Sequence, residues 1–387
     1  MLKSLRNIES PVVLGILGGG QLAKMLCQAA YRLGINVAVI ESGANSPAGD
    51  MTKADFPGGW NDDAELHRFL DACDIVTLEN EFIDPSVLEI VESKRKLFPC
   101  SQTMRLVQDK FHQKDTFRKA GLSVPDFDAI EDLNKLIRFS REFSFPFVLK
   151  ARTHGYDGYG NATIFNEDEI ETSWNFFQKN QTKREMLAER FIKFQKELAV
   201  LVARNESGEI MVYPCVETIQ YRHICHAVIA PAEISNEISK MAQDIAVAAV
   251  ESINGVGIFG VELFLTEDNK ILINEIAPRP HNSGHYTIEA CYTSQFENCI
   301  RAVCNLPLGS SKMIKPGAAM VNLLGTRDGS GVPTNLTEFF RHREVWLHLY
   351  NKKQSRNGRK MGHVTALGDS PNEAFNRARA AAESVIW

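Results

Sequence analysis

The sequence contains no CxxC pair, because its eight cysteines are scattered along 387 residues. Neither a disulfide framework nor a cysteine-ligated zinc site is therefore indicated. No apolar run reaches the length of a membrane span, and the start MLKSLRNIES lacks the apolar core of a signal peptide. We expect reduced thiols in a cytoplasmic protein that has no membrane partner.

An excess of positive charge is also missing. Asp and Glu number 48 against 43 for Lys and Arg, which gives a net charge of −5 and no general attraction for nucleic acid. No internal repeat stands out. The chain instead has 44% hydrophobic and 24% charged residues, over a length sufficient for two or three domains. These values are typical of an ordinary globular protein.

The first segment has the pattern of a strand, a glycine turn, a helix and a second strand. The apolar run Val12–Leu17 precedes Gly18–Gly20, and helical spacing over Gln21–Leu33 precedes Asn36–Ile40. The glycines nearly fit the dinucleotide fingerprint, with Glu41 as the ribose-binding acid. An NAD-dependent dehydrogenase is therefore a rival hypothesis, although any strand-to-helix turn close to a ligand favours glycine.

A later apolar stretch, Asp74–Leu78, predicts another buried strand. It is followed by Glu79 and Glu81, and ligands of open α/β sheets bind where strands end. By themselves, however, these two acids indicate a solvated loop. Near Gln108 the pattern changes to a polar helix, and we place the first domain boundary there.

A second glycine-rich element, KARTHGYDGYGN, starts at Lys150. An apolar strand delivers this lysine to a loop in which Gly155, Gly158 and Gly160 leave backbone N–H groups open to an anion. A tight hairpin is the alternative, since GYDGYG is turn-prone. Three glycines beside Lys150 and Arg152 favour a phosphate cradle.

Two further strands, GIFGVELFL and ILINEIA, flank the turn-like Thr266–Lys270. If the turn has two central residues, Leu265 faces Leu272 and Glu262 faces Glu275. Directly opposed carboxylates repel one another, and a hard divalent cation with oxygen ligands would explain their pairing. The alternative is two glutamates on a solvated sheet face without a metal.

The second of these strands runs into a polar loop, APRPHNSGH. Pro278 and Pro280 stop regular structure there. They present a set of polar side chains, namely Arg279, His281, Asn282, Ser283 and His285.

The last part of the chain follows a linker after Leu306 and carries a basic hairpin. Strands are predicted around Val345–Tyr350 and His363–Leu367, with a turn at Asn357–Gly358. Five cations crowd this hairpin: Lys352, Lys353, Arg356, Arg359 and Lys360. Such a run is usually a solvated face, and a nucleic-acid patch would want a basic domain. The tight turn favours a pocket for one phosphate.

Taken together, four motifs resemble the ATP-grasp superfamily and, within it, the N5-carboxyaminoimidazole ribonucleotide synthase family. They are GGGQLAKML, KARTHGYDGYGN, VELFL with INEIAPRPHNSGH, and GRKMGHVT, and they cover nearly the whole chain in the family's order. The resemblance implies an α/β (α+β ATP-grasp) fold in three parts. These are a Rossmann-like domain over 1–108, an ATP-grasp domain over 109–305, and a small β-rich C-terminal domain over 306–387.

The resemblance also implies an activity. A member would carboxylate 5-aminoimidazole ribonucleotide with ATP and bicarbonate, through carboxyphosphate, in de novo purine biosynthesis. It would require Mg²⁺, with Mn²⁺ as an alternative, and would be a homodimer. Another ATP-grasp carboxylate–amine ligase would share the ATP-binding parts but has no use for the GRKMGH hairpin. A non-catalytic nucleotide-binding module would not require the acid pair.

Site residues follow from the resemblance position by position. ATP binding is expected of Arg105, Lys110, Lys150, Gly155, Tyr156, Asp157, Gly158, Tyr159, Gly160, Asn161, Glu189, Arg190, Phe191, Ile192, Glu197, Gln220, Asn274 and Glu275. The metal ligands are expected to be Glu262 and Glu275. Catalytic roles, including bicarbonate binding, are expected of Arg279, His281, Asn282 and Tyr156. The ribonucleotide is expected to contact Gln21, Leu22, Glu79, Asp157, Lys352, Arg359 and Lys360.

Within the nucleotide set the implied roles differ. Arg105 and Lys150 would contact phosphates, and 155–161 would form a flap over them. Glu189 would hold adenine and Glu197 the ribose hydroxyls. Gln220 stands where the family often has a histidine.

Overall fold

The computed structural model describes residues 12–153, 155, 160–179, 184–221 and 224–387. Within these ranges the chain forms three large sheets and one two-stranded ribbon, with helices packed against the large sheets. No helix among the described residues has the length and apolar character that a membrane crossing requires.

The N-terminal sheet is parallel and has the strand order β3-β2-β1-β4-β5. Its strands are β1 (Val13–Leu17), β2 (Asn36–Ile40), β3 (Ala54–Phe56), β4 (Ile75–Leu78) and β5 (Lys96–Leu97). Its helices are α1 (Gln21–Arg32), α2 (Asp63–Ala72), α3 (Pro85–Lys94) and α4 (Ser101–Gln108). Parallel strands are buried on both faces, which is why β1, β2 and β4 are continuous apolar runs. The predicted strand–turn–helix–strand unit is confirmed.

A four-stranded antiparallel sheet follows, in the order β6-β9-β7-β8. Its strands are β6 (Phe127–Ile130), β7 (Phe147–Ala151), β8 (Asn161–Ile164) and β9 (Met186–Arg190). The helices of this part are α5 (Lys110–Lys119), α6 (Leu133–Phe143) and α7 (Asp168–Gln178). Both α6 and α7 bury apolar side chains in one core with β7 and β8.

The largest sheet has nine strands and joins the central part of the chain to the C-terminal part. Its order is β15-β14-β10-β12-β13-β16-β20-β18, and β11 pairs with β10. The strands before the linker are β10 (Phe194–Arg204), β11 (Ile210–Val212), β12 (Val216–Tyr221), β13 (Ile224–Ala230), β14 (Gly257–Thr266) and β15 (Ile271–Ala277). Those after it are β16 (Gly317–Leu324), β18 (Val345–Leu349) and β20 (Lys360–Gly368). The C-terminal strands therefore extend the central sheet, because β16 pairs with β13.

Helices and a ribbon complete the fold. The ribbon consists of β17 (Gly329–Ser330) and β19 (Gln354–Ser355). The remaining helices are α8 (Asn236–Ser252), α9 (Thr287–Ala290), α10 (Gln295–Val303), α11 (Leu336–Phe339) and α12 (Pro371–Ala382). Short 3₁₀ turns lie at Gly49–Met51 and Asn282–Gly284. Because α1 and α10 share one hydrophobic core, the N-terminal sheet is fixed against the nine-stranded sheet.

Candidate active site

A cavity of about 1080 Å³ is lined by strands of the four-stranded and nine-stranded sheets, by α1, α4 and the loop after β4 from the N-terminal part, and by the basic hairpin. Most of the residues expected to form the site line it. They are Gln21, Leu22, Glu79, Lys110, Lys150, Gly155, Asn161, Glu189, Arg190, Phe191, Ile192, Glu197, Gln220, Glu262, Asn274, Glu275, Arg279, His281, Asn282, Lys352, Arg359 and Lys360. The fold thus gathers one concave site from segments more than 300 positions apart in the sequence.

The β14–β15 hairpin places Glu262 opposite Glu275, as the sequence predicted. The register nearer the turn was predicted wrongly, because Leu265 pairs with Ile271 and not with Leu272. A hydrogen bond closes the turn across Thr266–Lys270 and leaves three central residues instead of two. A bulge between the Glu262–Glu275 pair and the Leu263–Ile273 pair then restores the alignment of the two acids.

The extra residue of this bulge is Asn274, which lies between the acid pair and a lysine. Its amide Nδ2 is 3.4 Å from Glu262 Oε2, and its Oδ1 is 3.5 Å from Lys150 Nζ. Two carboxylates beside a carboxamide are hard oxygen donors of the kind that Mg²⁺ prefers. Among the described residues no group of three or more His, Cys, Asp or Glu could hold a metal. A magnesium ion here would therefore need oxygen ligands from phosphate or water as well.

Lys110 reaches the acid pair from the start of α5, with its Nζ 2.5 Å from Glu275 Oε2. Asp109 fixes the start of that helix, because its carboxylate accepts hydrogen bonds from two backbone N–H groups of the first turn. Arg152 in turn holds Asp109 at 2.6 Å. Burial alone would raise the pKa of Glu275, but the charge and hydrogen bond of Lys110, together with the charge of Lys150, outweigh it and lower that pKa.

Glu189 lies behind the acid pair and bridges two lysines. Its Oε1 is 3.0 Å from Lys150 Nζ, and its Oε2 is 2.8 Å from Lys114 Nζ. Lys114 is a residue that the sequence argument missed. Its position gives a signal: Lys110, Lys114 and the buried Phe117 recur at helical spacing, so Lys114 lies on the inward face of α5.

Glu79 occupies the N-terminus of α1 and explains the first glycine turn. Its carboxylate accepts hydrogen bonds from Gly20 N–H at 2.6 Å and from Ala23 N–H at 3.0 Å. A Cβ atom on Gly18 or Gly20 would lie 2.3 or 2.6 Å from the Glu79 side chain. The anion position of the dinucleotide fingerprint is therefore filled by a side chain, which disfavours the dehydrogenase hypothesis. The solvated-loop interpretation of Glu79 is wrong, because the residue is buried.

Glu81 was also interpreted as part of a solvated loop, and that interpretation is wrong as well. Its carboxylate forms a two-point ion pair with Arg279, in which Nη2 and Oε1 are 2.8 Å apart and Nε contacts Oε2. Gln108 of α4 holds the backbone carbonyl of Glu81 at 2.9 Å. Because β4 and the loop after β15 come from different sheets, only the tertiary fold brings these two residues together.

The rest of the polar loop is held by its neighbours. His281 Nε2 is 3.3 Å from Glu262 Oε1, and His281 Nδ1 is 2.8 Å from Ser283 Oγ. Asn282 exchanges two side-chain hydrogen bonds with Asn322 of β16, at 3.1 and 2.6 Å. Asn322 was not predicted as a site residue, because nothing in the sequence of β16 distinguishes it from an ordinary polar strand residue. The loop is thereby tied to the C-terminal strands.

The basic hairpin supplies four cations to the cavity wall: Lys352, Arg356, Arg359 and Lys360. Gly358 has φ of +77°, which confirms the predicted Asn357–Gly358 turn. Burial and the neighbouring Arg356 lower the pKa of Arg359. A cluster of like charges that costs free energy in this way is suited to binding an anion.

Glu197 lies on the wall of the cavity near the acid pair. Burial and the charge of Glu262 raise its pKa to about 7. Protonation of Glu197 near neutrality would suit a contact with hydroxyl groups.

Gln220 also lines the cavity, and a bulge follows Ile219 where β12 pairs with β13.

A few expected residues are not brought to the cavity or are not described. Arg105 on α4 forms an ion pair with Glu89 of α3 and does not line the cavity. Gly160 has φ of +90° and also lies outside the lining. Tyr156, Asp157, Gly158 and Tyr159 lie outside the described residues.

Three family models match the chain in succession. They are a "Ribonucleotide synthetase preATP-grasp domain" over residues 12–108, an "ATP-grasp domain" over 115–296, and a "Phosphoribosylaminoimidazole carboxylase C-terminal domain" over 318–377.

Curated relatives and solved structures are similar over nearly the whole chain. Phosphoribosylaminoimidazole carboxylase of Schizosaccharomyces pombe is 41% identical over 94% of this chain, which spans 66% of that relative. N5-carboxyaminoimidazole ribonucleotide synthase of Bacillus subtilis is 37% identical over 96% of this chain and 95% of the relative. The N5-carboxyaminoimidazole synthase of Aspergillus clavatus, solved with ADP and 5-aminoimidazole ribonucleotide, matches with a TM-score of 0.88 and 34% identity, covering 97% of this chain and 98% of the other. The chain thus spans about two thirds of the S. pombe relative but nearly all of the other two.

Proposed function

This chain belongs to the N5-carboxyaminoimidazole ribonucleotide synthase family, and from that membership we propose its reaction and the residues that perform it. It is an ATP-dependent ligase that forms N5-carboxyaminoimidazole ribonucleotide in purine biosynthesis. It does so with bicarbonate as the source of the carboxyl group.

ATP binds in the part of the cavity between β7, β9 and the β14–β15 hairpin. Lys150 contacts its phosphates, Glu189 and the backbone of Phe191 hold adenine, and Glu197 accepts the ribose hydroxyls. Glu262 and Glu275 would hold Mg²⁺ against the phosphates, where the ion would offset negative charge. The other expected ATP contacts that line the cavity belong to the same nucleotide site, namely Lys110, Gly155, Asn161, Arg190, Ile192, Gln220 and Asn274.

Bicarbonate attacks the γ-phosphorus of ATP and yields carboxyphosphate and ADP. Arg279 binds bicarbonate with the guanidinium edge that Glu81 leaves open, and His281 and Asn282 complete the contact. Carboxyphosphate breaks down to CO₂ and phosphate. The exocyclic amine of the ribonucleotide then forms a C–N bond to CO₂ and loses a proton. Carboxyphosphate has to be shielded from water, which suits a site recessed in a cavity.

The ribonucleotide lies next to this loop, with its phosphate at the basic hairpin. Lys352, Arg359 and Lys360 bind the phosphate, while Gln21 and Glu79 contact the ribose or the imidazole ring. Burial and the neighbouring charge of Arg356 lower the pKa of Arg359, and a bound phosphate would offset the positive charge that gathers there.

The organisation of the molecule is part of the proposal. Domain boundaries fall near 108/109, where the parallel sheet ends, and near 305/306, between α10 and β16; both lie close to the limits of the three family models. The eight cysteines are all unpaired, which supports action in the reducing cytoplasm. The active form is a homodimer, as the family resemblance suggests, and sedimentation equilibrium would test this.

One observation carries the assignment: a single cavity joins the acid pair and its lysines to the Arg279 loop and the basic hairpin. The test is ADP release from Mg-ATP and bicarbonate, with and without 5-aminoimidazole ribonucleotide. We expect release to be stimulated by the ribonucleotide and to need bicarbonate. Release that the ribonucleotide leaves unchanged would refute the substrate, and stimulation by a different amine would identify another ATP-grasp ligase.

A further inference from the structure

Lys114 lies beneath the nucleotide side of the cavity, where the proposed reaction gives it no role. Its side chain is 2% exposed, and it is not among the residues that line the cavity. Its Nζ is 2.8 Å from Glu189 Oε2 and 2.8 Å from the backbone oxygen of Asn274. A lysine is almost never buried so completely unless a paired charge compensates it.

Glu189 is shared between this buried lysine and one at the cavity surface. Lys150 Nζ lies 3.0 Å from Oε1, and Lys150 lines the cavity. Lys114 Nζ lies 2.8 Å from Oε2, and Lys114 is buried outside the cavity lining. Burial raises the pKa of Glu189, but the charges of Lys114 and Lys150 together outweigh that effect and lower it. The acid is therefore ionised and has one cation on each oxygen.

This arrangement matters when a nucleotide enters. If Lys150 turns toward the phosphates, its bond to Glu189 weakens or breaks. A buried carboxylate without a cation is unfavourable, so Glu189 alone would hold Lys150 back. A second cation that stays on Glu189 removes that penalty and lets Lys150 move. Burial lowers the pKa of Lys114 to about 8, so at neutral pH this lysine is still mostly charged.

We propose that Lys114 is a positioning residue that keeps Glu189 paired, so that Lys150 is free to bind the phosphates of ATP. This inference rests on the proposed phosphate role of Lys150. The hydrogen bond from Lys114 to the Asn274 carbonyl adds a second function, because it fixes the bulge next to the Glu262–Glu275 pair. Lys114 touches neither substrate nor metal and acts through Glu189.

The test compares nucleotides with and without phosphates in Lys114→Met, which keeps the side-chain length and removes the charge. Binding of ATP, ADP and adenosine is measured by competition against a fluorescent nucleotide analogue. We expect ATP and ADP to bind at least about tenfold more weakly, because Lys150 stays on Glu189. Adenosine affinity should change little. The matched control is Lys119→Met on the same helix, where the lysine side chain is 77% exposed; its affinities should equal the wild type.

Two outcomes would overturn the inference. Equal losses for all three ligands would show that Lys114 only supports the fold, and unchanged binding would show that it does nothing for Lys150.

A double variant sharpens the result. In Lys114→Met/Glu189→Gln, Lys150 has no acid to hold it, so the ratio of ATP to adenosine affinity should match that of Glu189→Gln alone. If Lys114→Met does not fold, the test compares Glu189→Gln with the double variant. A ratio of ATP to adenosine affinity that is about tenfold lower in the double variant would contradict the inference.

Lys150→Met separates this inference from the proposed function. It should lower ATP affinity without lowering adenosine affinity. If it does not, the phosphate role of Lys150 is wrong and both proposals fall. If it does, but Lys114→Met leaves the ratio unchanged, only the role of Lys114 is refuted.

Discussion

The two ends of the cavity handle charge in opposite ways. At the nucleotide end, Lys110, Lys114 and Lys150 are buried or nearly so, and each lies within 3.0 Å of a carboxylate oxygen of Glu189 or Glu275. These pairs come from different elements, so the fold sets their geometry before any ligand arrives. A buried charge that loses its partner is costly. The residues of this end therefore act as a unit.

At the other end, cations gather on a hairpin. Lys352, Arg359 and Lys360 are half-buried, and Arg356 is exposed. Solvent screens such charges, so a change at one of them should alter binding more than folding. The two ends should therefore respond differently to substitution. A change at the nucleotide end should affect both folding and ATP binding, whereas a change at the hairpin should weaken ribonucleotide binding alone.

The largest effect should follow substitution of the acid pair. We expect Glu275→Gln to lower turnover by on the order of 1,000-fold, because a neutral amide lacks the negative charge with which the carboxylate holds Mg²⁺ against the phosphates. ADP release measures the loss, and thermal unfolding checks that the fold survives. Glu267→Gln, at the exposed turn of the same hairpin, is the matched control and should be fully active. A fully active Glu275→Gln enzyme would refute the metal role.

This acid pair also shows how far sequence alone could lead. The glycine turn, the strand ends and the opposition of Glu262 and Glu275 follow from local patterns and were predicted. The turn length and the bulge at Asn274 were not, because a one-residue irregularity leaves the apolar alternation almost unchanged. The acid pairing survived only because the two errors offset each other.

Contacts between distant segments were beyond reach. Glu81 lies 198 positions from Arg279, and neither segment carries a sign that the other is its partner. Asn322 resembles any polar residue in a strand. Lys114 was detectable in principle, since it falls on the buried face of α5, but only the fold shows that Glu189 is what it holds.

The next largest effect concerns the ion pair between Glu81 and Arg279, which lies between the two ends of the cavity. Glu81→Gln should raise the KM for bicarbonate by about 10- to 100-fold, since a neutral amide holds the Arg279 guanidinium less firmly than a two-point carboxylate does. The KM for ATP should change little. Initial rates at varied bicarbonate concentration provide the measurement. An unchanged KM for bicarbonate would mean that Glu81 does not orient Arg279.

At the hairpin, Lys360→Ala should raise the KM for the ribonucleotide by about tenfold, because one phosphate contact is lost, and should leave the KM for ATP unchanged. Lys353→Ala is the matched control, since Lys353 is exposed on the same hairpin and does not line the cavity. Steady-state rates at varied ribonucleotide, at low and high salt, test both variants. A defect confined to ATP would remove the contrast between the two ends.

The smallest effect concerns β20, which carries Lys360 at one end and the fully buried His363 three residues later. His363 Nδ1 is 2.9 Å from the Tyr350 hydroxyl, and its ring stacks on His348 at 4.3 Å. Burial first, then the charges that His348 and His285 would carry, lower the pKa of His363 well below its usual value of 6.5. The folded protein therefore keeps this ring neutral.

A lowered pKa in the folded state means that stability is fully present above the unfolded value and is lost as pH falls below it. Between pH 7.5 and 5.5 the unfolded chain takes up a proton at His363 and the folded chain does not. This costs up to about 1.4 kcal/mol per pH unit below 6.5. Glu197 at the nucleotide end has a pKa raised to about 7 and titrates in the same window with the opposite sign, but it is common to the wild type and to a His363 variant, so the difference between the two proteins reports on His363. Thermal unfolding at the two pH values should therefore show a smaller shift in His363→Asn than in the wild type. Equal shifts would mean that protonation elsewhere dominates, and that the hairpin strand is not the acid-sensitive part of the molecule.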